Sequence, residues 1–373
     1  MLGELMGIIN LSESEEYLGD LSRSRPLAAV PFAGRYRLID FVLSNMVNSG
    51  VSNVGIFIQH KYRSLMDHLR SGKEWDLARK RDGLFILPPA YTKTPMQIHR
   101  GDVENFYSNL DYISKSRQKY VVIAGPEMVS NLDYRQALAF HKETGAEITV
   151  LYTRANCSTH DCVRSSVLDV EQDGRVTEMK EYQALGEYQN VSMKTFIMER
   201  KLLIELVNAC IARGDYDFIK HCIIKNISKY KVYGYHHHGY VARISSLRSY
   251  FQHSMDLLNP HIWKELFFKS GLVYTKVKDE PPAKYMSDAE VANSLIATGC
   301  FIEGQVENSI LFRGVKVHKG AQIKNSIIMQ KCEIGPNVIL DNVICDKDVF
   351  ISGNKQLKGE DKYPIVIRKG QVI

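Results

Sequence analysis

The chain has 373 residues, 48 Lys and Arg against 42 Asp and Glu for a formal charge of +6, and 45% hydrophobic against 24% charged residues. These are the proportions of an ordinary globular protein long enough for two domains, and the dispersed cationic excess argues against a nucleic-acid partner. No apolar run reaches the roughly 18 residues that a membrane helix needs, and the opening MLGELMGIINLSESEE lacks a cationic leader, so a cytoplasmic protein is expected. Seven cysteines, an odd number without C-x-x-C spacing, read as reduced thiols and neither a disulfide framework nor a zinc site.

In chain order, Met6–Leu11 (MGIINL) reads as a first strand. Pro26 and Pro31 hold the next stretch extended. Leu38, Phe41, Val42, Met46 and Val47 then recur at i, i+3/i+4 spacing, which predicts a helix over 38–48 that stops at Asn48-Ser49-Gly50. Val54–Ile58 is a short apolar run, the form of a strand covered on both faces of a parallel sheet. A helix over 62–70 follows, with Leu65, His68 and Leu69 on one face. Further strands are expected at 120–124, 148–152, 194–198 and 231–242, and further helices at 103–116, 134–143, 200–212 and 246–258. The alternation predicts an α/β domain over 1–258 with a mostly parallel sheet between helices. A connecting segment over 259–293, containing Pro281-Pro282, leads out of it.

From about Ser294 the text changes. Apolar residues recur every six positions at Leu311, Val317 and Ile323, and again at Ile328, Ile334 and Leu340. Val315, Ala321, Ile327, Cys332, Val338 and Ile344 stand four residues after each. With Gly314, Gly320 and Gly335, this period predicts a parallel β-helix over 294–373, three short faces to a coil. Such repeats stack, and their ends or sides usually mediate assembly.

VPFAGRYRLIDF-LSN-VNSG, IQHKYRSLMDHL and WDL-LPP, within residues 30–89, resemble the ADP-glucose pyrophosphorylases (glucose-1-phosphate adenylyltransferases) of bacterial glycogen synthesis. The likeness continues at NLDYI (109–113), at SYFQHSMDLL (249–258) and into the repeats. It implies a Rossmann-like, GT-A-like nucleotidyltransferase domain followed by a left-handed β-helix, in an oligomer that is a tetramer in that family.

Nucleotidyl transfer needs backbone N–H groups around phosphates, cations upon them and carboxylates that hold Mg²⁺. Counted back from Arg25, the family's G-G-x-G-T-R-L loop falls on Ser12–Leu18, so its glycines become Ser12, Glu13 and Glu15 and its arginine becomes Tyr17. Side chains there obstruct the close backbone approach that glycine permits. Each carboxylate–phosphate contact adds a repulsion on the order of 1–4 kcal/mol. The lysine of R-A-K-P-A-V falls on Leu27, and G-T-A-D-A becomes Gly101-Asp102-Val103-Glu104-Asn105. The lysine of E-K-P falls on Tyr182. The first metal carboxylate, in G-D-H, becomes Pro126 within Gly125-Pro126-Glu127, and the second, in D-V-G-T, becomes Arg243. Proline cannot bind Mg²⁺, and Arg243 supplies a positive charge where a hard oxygen is needed.

An intact scaffold with an erased catalytic set resembles the non-catalytic D-type subunit of that family in Gram-positive bacteria. The resemblance implies a regulatory subunit with no catalytic residues and no metal or cofactor of its own. Mg²⁺ would belong to a catalytic ADP-glucose pyrophosphorylase partner in a hetero-oligomer, expected to be a tetramer. Arg25, Arg35 and Arg37 are candidates for a phosphorylated metabolite effector, with plain solvated charge as the equal alternative. Gln59, Lys61, Arg63 and Trp75 are candidates for coupling between subunits, with core packing as the alternative. An adenylyltransferase relying on Glu127 is the enzyme alternative. A hexapeptide-repeat acyltransferase ranks last, because His318 is the one histidine in the coils. In His236-His237-His238, strand alternation lets at most two rings converge, and exposed histidines at a strand end are expected over a metal site.

Overall fold

The computed structural model describes residues 3–12, 16–88, 101–157, 165–181, 188–361 and 363–373. The chain divides into two compact units. The first comprises Met1–Glu13, Phe41–Val241 and Phe268–Tyr274, and the second Ser14–Asp40, Ala242–Phe267 and Thr275–Ile373.

The first unit is built on nine strands: β1 (Leu5–Leu11), β2 (Asn53–Ile58), β3 (Gly83–Leu87), β4 (Tyr120–Ala124), β5 (Ile148–Asn156), β6 (Ser166–Val170), β7 (Val176–Glu181), β8 (Tyr188–Glu199) and β9 (Val232–His236). Their order is β7-β6-β8-β4-β1-β2-β3, with β5 paired to both β8 and β9. β1 runs parallel to β2 and β4, and β2 parallel to β3. β8 runs antiparallel to β4 and β5. Every residue of β1, β2 and β4 is buried, as strands between two helical layers must be. Met6, Ile8, Phe57, Phe106 and Ile123 join one apolar core.

The described α-helices are α1 (Leu38–Asn48), α2 (Arg63–Leu69), α3 (Asp102–Ser108), α4 (Leu110–Lys115), α5 (Tyr134–Glu143), α6 (Arg200–Arg213), α7 (Leu247–Asp256) and α8 (Pro260–Phe268). The helix expected over 103–116 is two, because Asn109 leaves helical geometry (φ −112°, ψ 17°) and its amide donates to Asn105 O at 2.8 Å. The strand expected over 231–242 likewise stops at His236 and resumes as Val241–Arg243. β3, β6 and β7 escape the apolar patterning because each is partly exposed.

Cys157 is disulfide-bonded, which corrects the expectation of reduced thiols throughout. An odd total does not exclude one pair. Cys210, Cys222, Cys300, Cys332 and Cys345 are free and buried.

In the second unit, three five-stranded parallel ladders make a left-handed β-helix. Val317 pairs with Ile334 and Ile334 with Ile351, so one aliphatic column runs through successive coils. All twelve residues of the six-residue pattern are buried. Its first strand is Lys284–Tyr285, upstream of the legible period at Ser294, because this coil is exposed and needs no apolar text. The corners at Asn308, Asn325 and Asn342 have φ of 44°, 46° and 53°, a left-handed geometry that asparagine tolerates. At Gly335 a Cβ would stand 2.7 Å from Ile351 O, so glycine there permits coil-to-coil contact. Ile334→Val should lower stability by about 1 kcal/mol through the lost methylene, measured by denaturant titration.

In the same unit, Ser246 and Ser249 cap α7 reciprocally, and Tyr250 Oη donates to Pro31 O at 2.8 Å. Phe32 meets Tyr250 edge-on with ring centroids 6.3 Å apart. Leu27 is buried in a short turn over Leu27–Ala29.

Candidate functional site

Ligands of open α/β sheets bind beyond the carboxyl ends of the parallel strands, here the ends of β1, β2 and β4. The side chains at that edge are engaged with one another. Gln59 Nε2 donates to Asn105 Oδ1 at 3.0 Å, Asn105 Nδ2 to Asn10 Oδ1 at 3.0 Å, and Asn10 Nδ2 to Ser12 Oγ at 3.3 Å. The amides that could read a ligand satisfy each other instead.

Beyond β4, Pro126 is buried and offers no donor or acceptor side chain. Glu127 is buried, and its Oε1 lies 2.7 Å from Lys194 Nζ. That lysine comes from an irregularity in β8, where the register with β5 shifts between Ser192 and Thr195. Its φ is 49°, and its N–H donates to Ser192 Oγ at 3.1 Å. The bulge re-aims a side chain that regular alternation would place otherwise. The carboxylate that could hold a metal thus has a cation already. Pro126 and an engaged Glu127 do not fit Mg²⁺, and the reading of Glu127 as a substitute ligand loses its support. Among the described residues, no cluster of three or more His, Cys, Asp or Glu side chains is arranged to hold a metal.

Asp102 begins α3, and its Oδ1 accepts the Phe218 N–H at 2.7 Å. Burial pushes its carboxyl up to about 6, the Phe218 bond opposes this, and Asp217 adds to it. Because the folded value exceeds the unfolded one of about 3.9, stability falls as pH rises between those values and the loss is complete above pH 6. Asp102→Asn should therefore be more stable than the parent by about 3 kcal/mol at pH 8 and nearly equal to it at pH 4, read from denaturation midpoints.

A second concentration of charge lies within the other unit. Arg25 is 4% exposed and Asp346 2%, and Arg25 Nη2 bonds Asp346 Oδ2. Among the described residues, no acceptor reaches the buried Arg25 Nη1. Burial, then Arg37 and Arg25, push the neighbouring Lys347 down to about 7. Arg313 is also buried; burial and Arg35 lower it. Lys278 is lowered by burial, then by Arg313, Lys276, Lys331 and Arg37. Cations outnumber acids here, and one guanidinium nitrogen is left over.

The other sequence candidates are dispersed. Tyr17 is exposed in the turn Glu16–Ser22. Glu13, Glu15 and Tyr182 lie outside the described residues. Arg243 is half-buried at the end of Val241–Arg243. Arg35 is exposed, its guanidinium 5.3 Å from the Tyr36 ring centroid, while Arg37 is half-buried. Lys61 and Arg63 are exposed, but Trp75 is buried edge-on to His68 with centroids 5.9 Å apart. His236 stacks on Tyr152 at 5.0 Å and meets His238 at 3.9 Å, so two of the three histidines do converge. Lys194, Arg313, Lys347 and Lys278 are absent from the sequence candidates. A lone lysine between Met193 and Thr195 in an apolar strand, and cations beside buried coil positions, were the available signals.

A mixed α/β sheet with its ligand edge at β1, β2 and β4, joined in one chain to a hexapeptide β-helix, defines the nucleotidyltransferase class with a repeat domain. The nucleotidyl transferase family profile matches residues 16–259, and a GlmU-like C-terminal hexapeptide profile matches residues 281–363. The glycogen biosynthesis protein GlgD of Bacillus subtilis is 41% identical over 99% of this chain and 97% of its own. That of Geobacillus stearothermophilus is 42% identical over 100% and 98%. A glucose-1-phosphate adenylyltransferase of Fervidobacterium nodosum is 30% identical over 93% and 84%. The chain belongs to the ADP-glucose pyrophosphorylase family and, within it, to the group of the GlgD proteins. Among the described residues, no helix is long and apolar enough to cross a membrane.

Proposed function

We propose that this chain serves glycogen biosynthesis as a catalytically silent, regulatory subunit. It assembles in the cytoplasm with a catalytic glucose-1-phosphate adenylyltransferase, as a heterotetramer, and alters that partner's rate or saturation. The Glu127–Lys194 pair beside Pro126 carries the reading, because a lysine holds the carboxylate that adjoins Pro126 in the chain. The self-bonded amides of Asn10, Gln59 and Asn105 support it. Mg²⁺ chemistry then belongs to the partner. Regulation works through contacts that differ between the partner's active and inactive states, and the β-helix and the exposed Lys61 and Arg63 supply surfaces for it. Co-expression of the two chains from one organism, followed by mass measurement of the complex, tests the assembly. A mixed tetramer is expected; two separate homo-oligomers would count against it.

The surplus cations around Arg25, Arg37 and Lys347 support binding of a phosphorylated metabolite in the second unit. Inorganic pyrophosphate serves as the probe. Its affinity should fall several-fold between pH 6 and pH 8.5, as Lys347 loses its proton near pH 7. Calorimetric titration at both pH values checks this, and equal affinities would exclude Lys347 from the site.

A further inference from the structure

Cys210 on α6 and Cys222 in the π-helical segment Phe218–Ile223 are both fully buried, and their sulfurs stand 3.2 Å apart. Two unbonded sulfurs would rest farther apart, whereas a disulfide closes to about 2.05 Å. A small approach of the two backbones separates this pair from a bond. The two sulfurs also differ in surroundings. Arg213 Nη2 lies 3.6 Å from Cys210 Sγ, and half of the Arg213 side chain faces solvent. Cys210 is thus the sulfur beside a partly solvent-facing side chain, and a thiol attacks as it gives up its proton. Burial pushes the Cys222 thiol up, with Cys210 adding to the shift, so Cys222 keeps its proton.

We propose that Cys210 and Cys222 form a thiol-modification site that closes to an intramolecular disulfide on meeting a small-molecule disulfide. The Cys210 sulfur attacks one sulfur of the reagent R–S–S–R and gives up its proton to the departing sulfur, forming a mixed disulfide and releasing one small thiol. Cys222 sulfur then attacks the Cys210 side of that mixed disulfide, expels the second small sulfur and gives up its proton to it. Two protein thiols and one small disulfide thus become one protein disulfide and two small thiols. Full burial slows the first attack, and the single π-helical turn, a rare interruption of helical geometry, is the place to open.

Closure would tie α6 to the segment that anchors α3. The Phe218 N–H is held by Asp102 at 2.7 Å, and the Val103 N–H donates to Tyr216 O at 3.1 Å. At Gly101 a Cβ would stand 2.3 Å from Tyr216 O, so the two segments touch at the backbone. Asn105, one helical turn into α3, belongs to the amide chain at the sheet edge. Oxidation therefore acts on an element that reaches the ligand edge of the first unit.

The test incubates the native full-length protein with reduced and oxidised glutathione at several ratios, blocks remaining thiols with iodoacetamide, and maps disulfides by peptide mass. The expected result is one peptide pair joined through Cys210 and Cys222, lighter by two hydrogens than the reduced pair, forming as the oxidised fraction rises. Cys222→Ser should instead trap glutathione on Cys210, and Cys210→Ser should remain unmodified at Cys222. The same two peptides must be recovered, alkylated at both sulfurs, from denatured reduced protein. Recovery there, with no crosslink at any ratio in the native protein, would overturn the proposal.

Discussion

Asp346→Asn should lower the stability of the protein by about 3–5 kcal/mol, because it removes the counter-charge of a buried guanidinium while keeping the shape of the side chain. Arg25 and Asp346 are 4% and 2% exposed, so water cannot take over the lost interaction. Arg37 and Lys347 add positive charge close by, which makes an unpaired Arg25 less tolerable still. Asp346 Oδ1 also accepts the Lys347 N–H at 2.7 Å, a bond that asparagine can keep. The loss therefore reports on charge more than on hydrogen bonding. Phosphate should recover part of the stability of Asp346→Asn and stabilise the parent less, as expected if an external anion replaces the missing carboxylate. Denaturant midpoints with and without phosphate measure both effects. A variant within about 1 kcal/mol of the parent would mean that the guanidinium finds another partner and that the cluster tolerates its charge.

Lys194→Met should cost about 3 kcal/mol. It leaves the left-handed backbone at residue 194 as it is and removes only the ammonium, so that Glu127 remains buried without its cation. Lys194→Gly loses the same charge but relieves the strained φ, and should be less destabilised than Lys194→Met by about 1 kcal/mol. Combining Lys194→Met with Glu127→Gln should recover much of the loss, since the two side chains then leave no uncompensated charge. If Lys194→Met alone were neutral, the pair would contribute nothing and Glu127 would be available to another cation.

Much of this architecture is legible in the sequence, where the physics is periodic. The six-residue recurrence from Leu311 to Leu340 marks coil positions whose side chains are buried, one on each face of a coil in turn. The spacing over 38–48 gives α1 to the residue, since its apolar stripe and its stop signal coincide. Legibility fails where local geometry departs from periodicity. Asn109 breaks a continuous helical pattern with a side-chain bond to the backbone carbonyl of Asn105. The bulge at Ser192–Thr195 turns Lys194 toward Glu127, and no period predicts that. The ion-pair partner of Arg25 is far from it in the chain, so Asp346 could be found only from the folded coils. Motif positions did show what is missing at Pro126, but not that a lysine stands against the neighbouring acid.

The most direct test of the central claim is ADP-glucose formation from ATP and glucose 1-phosphate in the presence of Mg²⁺. It compares this chain alone, the catalytic adenylyltransferase of the same organism alone, and the two co-expressed. No turnover from this chain, with a raised rate or shifted saturation for the pair over the catalytic subunit alone, is the predicted result. Turnover by this chain alone, abolished by Glu127→Gln, would contradict it and would mean that Glu127 leaves Lys194 to hold the metal.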